Sequence, residues 1–204
     1  MITEKIIKSF EQYTGDTTEL SSEQELDLAN KIYRKILTEK VWTFLLTAGT
    51  GTVVNDSIDL PDDFFYIPII SYYTDTGTYA SDKVIFIGPQ KQPYKIINFT
   101  DRLKYINVDG YAYIDLRNNK IVFTKTPPNS DVYYTYIYRP DDLTLDTEPV
   151  FPSEYHVAIY HGMISDDMIC QLFDKARSYS KENEANYMDW VNRLALYDSQ
   201  FYAQ

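Results

Sequence analysis

The sequence predicts an α+β fold: a helix bundle of about four helices with an inserted antiparallel β module. Three observations carry this. Apolar residues recur at helical spacing in the first part of the chain, the period changes to that of strands between Thr52 and Arg139, and helical spacing returns after Pro149-Val150-Phe151-Pro152-Ser153. The bundle is assigned to residues 1–50 and 148–204, and the inserted β module to residues 51–147.

In chain order, Ile2, Ile6, Phe10 and Tyr13 make a short first helix that Gly15 stops. Ser22-Glu23-Gln24-Glu25 has the form of a capping box, in which the serine closes an early amide and Glu25 reaches back. The stripe Leu26, Ala29, Tyr33, Ile36 and Leu37 follows it, and this second helix is expected to run on toward Trp42 and Leu45 until Gly49 and Gly51 end it. Val84-Ile85-Phe86-Ile87, bounded by Gly88-Pro89, reads as a short buried strand. Asn118-Asn119 tolerates positive φ between Tyr113-Ile114-Asp115-Leu116 and Ile121-Val122-Phe123, which predicts a hairpin. Pro127-Pro128-Asn129-Ser130 then turns the chain into Val132–Tyr138, completing a three-stranded antiparallel meander. Residues 89–107 carry no clear period. Beyond Ser153, the stripes Val157, Tyr160, Ile164, Met168, Leu172 and Ile159, Met163, Ile169, Phe173, Ala176 predict one helix apolar over most of its circumference, the central one. A last helix over Ser180 to Tyr202 carries Tyr187, Val191, Leu194 and Phe201, with Trp190 and Tyr197 beside them.

Composition excludes several functions. The 204 residues are 44% hydrophobic, which fits a globular protein, and no apolar run reaches the length of a membrane span. Met1-Ile2-Thr3-Glu4-Lys5 lacks the layout of a signal peptide, so a membrane-spanning or secreted protein is not expected. One cysteine, Cys170, rules out an intrachain disulfide and any multi-cysteine metal site. A net charge of −11 repels phosphate backbones and anionic lipid heads. The twenty tyrosines fit contact surfaces that are part apolar and part wet, and they fit equally the codon usage of an AT-rich genome.

Side chains that could carry chemistry do not assemble into a site. His156 and His161 are five apart on a predicted helix, so they point roughly 140° apart and cannot share a metal as an i, i+4 pair does. Asp166-Asp167 precede Cys170, but carboxylates raise a thiol's pKa, which makes Cys170 a small buried apolar residue and not a nucleophile. Asp62-Asp63 after Leu60-Pro61 accept amides and fix a corner. Asp141-Asp142, Asp146 and Glu148 lack the glycine of a calcium loop. No phosphate-binding glycine loop or Gly-x-Ser-x-Gly elbow occurs. No catalytic residue, metal or cofactor is expected. Tyr134, Tyr136 and Tyr138 alternate on one strand face, either as a half-buried sheet surface or as rings for a sugar or another subunit.

Ile58-Asp59-Leu60-Pro61-Asp62-Asp63-Phe64, the hairpin from Tyr113 to Arg139-Pro140, and Pro149-Val150-Phe151-Pro152-Ser153-Glu154-Tyr155-His156 leading into a helical hairpin occur in an order that resembles the head-to-tail adaptor, or connector ring, proteins of tailed bacteriophages. The resemblance implies a structural virion protein of the short-tailed-phage type and not an enzyme, made in the host cytoplasm, that forms a ring of about twelve copies joining the portal vertex of the capsid to the tail. Its partners would be the portal protein, other copies of itself and downstream tail or neck proteins, with DNA passing through the channel unbound and no membrane. Tyr134, Tyr136, Tyr138, Trp190, Tyr197, Phe201 and Tyr202 are the expected interface residues. The enlarged β module, including Tyr72 to Ile87, departs from the family's pattern, and the abundance of Tyr, Asn and Lys fits a phage of an AT-rich gut bacterium. The rival from another class is a carbohydrate- or receptor-binding β module carried on helices; a hydrolase using Asp62, Asp63 or Asp142 ranks below it.

Overall fold

The computed structural model describes residues 1–15, 19–74 and 77–200, and the chain divides into two compact units, Met1–Phe44 with Pro140–Gln204, and Leu45–Arg139. The second unit is built on an eight-stranded sheet of β1 (Leu46–Thr52), β2 (Ser57–Asp59), β3 (Phe64–Tyr66), β6 (Val84–Ile87), β7 (Gln92–Ile97), β8 (Tyr111–Asp115), β9 (Lys120–Phe123) and β10 (Asp131–Tyr138). β4 (Ile70–Tyr73) and β5 (Tyr79–Asp82) form a separate two-stranded sheet. The strand order is β1-β10-β6-β7-β8-β9-β2, with β3 also on β10. The path curls until its two ends approach, and a Cβ at Gly51 of β1 would lie 3.4 Å from Ile58 of β2. The sheet is therefore a nearly closed barrel.

This corrects the predicted fold class. The protein is mostly a large mixed sheet with helices at the chain ends, not a bundle of four helices carrying a minor antiparallel module. β7 and β8 run parallel, joined through a 3-10 helix at Phe99–Tyr105, so the stretch without a clear period is a strand and a crossover. The hairpin of β8 and β9 forms, with Asn119 at φ 53°, but the expected meander does not. β9 pairs with β2 on its other side, while β10 pairs with β1, β6 and β3. Gly49 and Gly51 stop no helix; both lie in β1, where a Cβ at Gly49 would meet the Tyr134 ring at 2.4 Å. They are glycines because a ring and an isoleucine occupy the space a side chain would take. The interior is filled by Ile58, Ile85, Tyr94, Ile121, Val132, Tyr134 and Tyr136, among others.

The first unit contains α1 (Thr3–Thr14), α2 (Ser22–Thr38), α3 (Val157–Ser165), α4 (Asp167–Leu172), α5 (Asp174–Ser178) and α6 (Ser180–Ser199). Gly15 ends α1 in the left-handed region at φ 72°, which glycine adopts without cost. No side chain caps the start of α1; its Thr3 and Glu4 amides donate instead to the carbonyls of Thr147 and Leu145, at 3.0 and 3.1 Å. The capping box of α2 lies one residue earlier than expected, with Gln24 N donating to Ser21 Oγ at 3.3 Å and Ser21 N to Gln24 Oε1 at 2.8 Å. Helix α2 stops at Thr38, short of Trp42. There the Trp42 indole folds back and donates to the Ile36 carbonyl at 2.8 Å, one of the last-turn acceptors a helix leaves open.

The single long helix expected after Ser153 is three. Asp166 is extended, with ψ 137°; its side chain accepts the Met168 amide and pairs with Lys31 at 2.6 Å, so it starts a new helix instead of continuing the old one. Phe173, at φ −119° and ψ 119°, makes the second break. α3 keeps the central place. Gly162 lets it approach closely, since a Cβ there would lie 2.4 Å from Ile32 of α2 and 3.1 Å from Tyr187 of α6.

Candidate interaction surface

Helix α6 buries Tyr187, Val191 and Leu194 at i, i+4 and i+7. Trp190 and Tyr197, seven residues apart, flank that stripe and are half-buried. Between them stands Tyr155, from the 3-10 turn Ser153–Tyr155, with its ring centre 6.4 Å from that of Trp190 and 5.6 Å from that of Tyr197. The Arg193 guanidinium lies 5.0 Å from the Trp190 ring and is held by Asp189 at 2.8 Å. Partial burial, then the neighbouring Glu154, raises the pKa of Tyr155. The cluster thus offers rings, a cation over one of them, and hydroxyls, the mixture that recurs at the centres of protein interfaces.

Beside it opens a groove of about 570 Å³, lined by Phe44, Glu148, Val150, Phe151, Pro152 and Tyr197, among others. Its walls are fixed from below. Phe44 stacks on Trp42 at 5.3 Å and meets Phe151 at 6.2 Å, and Phe151 meets Tyr33 at 6.0 Å. Asp198, 1% exposed, accepts the Thr43 amide at 2.8 Å and the Thr43 hydroxyl, with Lys40 at 3.5 Å. His156 is 1% exposed, its Nε2 donating to the Phe151 carbonyl at 2.7 Å, and burial lowers its pKa. Asn30 of α2 holds the preceding segment through both groups of one residue, Nδ2 donating to the Leu143 carbonyl at 3.0 Å and Oδ1 accepting the Leu143 amide at 2.7 Å. The sequence around Asn30 gave no sign of this latch, because its partner is backbone.

The tyrosine row of β10 sits differently. Tyr134 and Tyr136 are 5% and 6% exposed and belong to the barrel interior; Tyr138 is half-buried against it. Tyr136 stacks on Phe64 at 5.7 Å, and its hydroxyl donates to Asp63 Oδ1 at 2.9 Å. Burial, with that bond, pushes the Tyr136 pKa up to about 12. The corner Leu60–Phe64 is pinned by the Phe64 amide to the Pro61 carbonyl at 3.0 Å, by Arg139 N to the Asp63 carbonyl at 2.7 Å, and by Asn119 Nδ2 to the Leu60 carbonyl at 3.1 Å. Asp63 therefore works as a brace, and Asp62 is exposed.

Other chemical candidates stand apart. Asp142 is engaged by Arg34, which holds its carboxyl below the usual range. His161 Nδ1 lies 2.9 Å from Asn183 Oδ1. Cys170 is part-exposed and not buried; desolvation, then Asp167, raises its pKa, which opposes thiolate formation. Among the described residues no group of His, Cys, Asp and Glu could hold a metal ion, and no helix is long and apolar enough to cross a membrane. Of the expected interface residues, Trp190 and Tyr197 are brought together and Tyr134, Tyr136 and Tyr138 lie on the other unit, while Phe201 and Tyr202 fall outside the described residues.

The sequence profile of the SU10 adaptor protein family matches residues 4–203, nearly the whole chain. No curated protein matches the chain.

Proposed function

The chain belongs to the SU10 adaptor protein family, and we propose that it forms the ring joining the portal vertex of a short-tailed phage to the tail. The family is one of phage structural adaptors and not of enzymes, which makes the chain a virion component associated with other phage head and tail proteins. The observation that carries the proposal is the match over residues 4–203, which takes in both units. In this reading about twelve copies close a ring. The half-buried Tyr155, Trp190 and Tyr197 cluster and its groove face the portal, and the β unit faces neighbours and the tail. A charge of −11 per chain gives roughly −130 for the ring, part of it on the channel wall. Such a wall repels passing DNA, with salt screening the effect beyond about 8 Å. The glycan-binding alternative draws no support from the tyrosine row, whose Tyr134 and Tyr136 rings are interior.

Sizing of the purified protein with and without its portal tests this. A large species of defined mass should appear on mixing, and Trp190→Ala with Tyr197→Ala should weaken docking by more than about tenfold while the fold persists. A protein that stays monomeric with portal, and that is present in single copy in virions, overturns the reading.

A further inference from the structure

Strand β1 ends the strand path of the barrel, so one of its edges is hydrogen-bonded to β10 and the other has, among the described residues, no strand bonded to it. β2 comes near it at Gly51. From Val41 to Asn55 the chain has no charged residue, and β1 itself reads Leu-Thr-Ala-Gly-Thr-Gly-Thr. Its exposed side chains, Ala48, Thr50 and Thr52, are small. β1 carries no lysine, no proline and no inward charge, residues that keep sheet edges from pairing.

A second free edge lies on the same unit. Among the described residues, the hairpin of β4 and β5 is hydrogen-bonded to no other strand, although Tyr72 anchors it against Phe86 with ring centres 6.0 Å apart. A lone two-stranded hairpin is marginally stable in water. Its outer face is apolar and neutral: Ile69, Tyr73 and Tyr79 are exposed, the two tyrosine rings meet at 5.6 Å, and Ser71 bonds Ser81 at 2.9 Å. β4 carries no charge, and β5 carries only Asp82.

We propose that the open edge of β1 receives β4 of a second copy of this chain, extending the barrel sheet across the subunit boundary by strand addition. The absence of charge permits the contact. Copies with −11 each repel one another, so they associate where both surfaces are neutral, and these two edges are. Backbone amides and carbonyls then supply the bonds. The two edges are different surfaces of one chain and are not paired with each other within it. A contact of this kind is head-to-tail, which propagates in one direction and gives a ring when the rotation between copies closes. The inference rests on the ring reading and names the contact that builds the ring.

The test uses cysteines in a Cys170→Ser background, in phage particles carrying the variant gene. Thr50→Cys and Tyr73→Cys in the same chain, treated with a short bismaleimide, should give a ladder of covalent multimers on a denaturing gel, absent from either single variant. With purified protein, a mixture of the two single variants should cross-link to dimers where neither does alone. As a second measurement, Ala48→Lys with Thr50→Lys should reduce the large species at least tenfold while the monomer's melting curve stays unchanged. Rings that persist in the lysine variant and give no ladder overturn the strand contact and leave the ring reading standing. A cross-link from position 50 to a different virion protein also overturns it. Particles holding one copy of the chain overturn the ring reading, and the strand contact with it.

Discussion

Tyrosine serves the two units in different ways. In the β unit two of the buried rings end at a carboxylate: Tyr136 donates to Asp63 at 2.9 Å and Tyr94 to Asp109 at 2.6 Å. In the helical unit, Tyr187 is 2% exposed and its hydroxyl has no partner among the described residues, while Tyr155 and Tyr197 stay half-buried at the surface. Geometry explains the contrast. A strand holds an inward ring roughly perpendicular to the sheet, so its hydroxyl reaches toward a loop or corner where an aspartate can stand. Close helix crossings leave no such room: Gly162 brings α3 against the Tyr187 ring. At Tyr187, ring burial without a hydroxyl partner among the described residues is the result, whereas the Tyr33 hydroxyl, at the edge of the same unit's core, accepts the Val150 amide at 3.4 Å.

The largest effect separates interior rings from surface rings. Tyr136→Ala empties a core position and removes the bond to Asp63, and should cost about 3–5 kcal/mol, nearly all of it from the lost ring. Trp190→Ala, on a half-buried ring, should cost under about 1 kcal/mol of stability yet weaken portal docking more than tenfold. Urea unfolding followed by far-ultraviolet circular dichroism reads both, whereas fluorescence does not, because Trp42 and Trp190 both belong to the helical unit. Equal stability losses for the two variants would erase the distinction between the rows.

A second variant probes the space around the same row. Gly49→Val places a branched side chain where a Cβ already meets the Tyr134 ring at 2.4 Å. It should cost about 1–3 kcal/mol by overpacking. If Gly49→Val melts like the parent protein, Tyr134 is not packed over β1.

Why some of this was legible and some not follows from what a period can report. Trp190 and Tyr197 stand seven apart on a regular helix, so their shared face could be read directly; Tyr155 lies in a 3-10 turn with no period and was missed as their partner. In β1 the inward positions are Gly49 and Gly51, which remove the apolar alternation that marks a strand and imitate a helix stop. In β7 the inward Tyr94 and Ile96 do alternate with an exposed Lys95, but Pro93, a residue uncommon inside strands, masks the pattern. Asp166-Asp167 is a helix-start signal, and reading it only as a neighbour of Cys170 concealed the break between α3 and α4. The alternation of Tyr134, Tyr136 and Tyr138 was correct as geometry, but alternation tells which side chains share a face, not whether that face meets core or solvent.

Acid should unsettle the helical unit through His156. Its pKa is lowered from the ordinary 6.5, mainly by burial. The unfolded chain therefore takes up the proton first as pH falls, so this residue's stabilising contribution is full above 6.5 and is lost progressively below it. Melting temperatures measured from pH 7.5 down to 5 should fall more steeply for the parent than for His156→Gln, compared as slopes because the substitution also disturbs the Phe151 contact. Equal slopes would assign the acid sensitivity to other groups.

The smallest effect tests the tyrosine contrast most directly, because it removes one oxygen from each unit. Tyr94→Phe takes away a charge-assisted bond to Asp109, a bond that, after burial, helps to raise the Tyr94 pKa. It should cost about 1–2 kcal/mol, since the ring stays in place and a bond to a charged acceptor is lost. Tyr187→Phe removes a hydroxyl that burial has deprived of water, pushing its pKa up to about 12, and that has no protein partner in return among the described residues. No bond is broken, and the Lys35 ammonium that lies 4.7 Å from the ring centre keeps its aromatic face. The variant should be neutral or more stable by up to about 1 kcal/mol. At pH 11, where the unfolded parent ionises this tyrosine before the folded one does, the gain should grow, because phenylalanine has no proton to lose. Losses of similar size for Tyr94→Phe and Tyr187→Phe would mean that the Tyr187 hydroxyl is bonded after all, and that the two units use tyrosine alike.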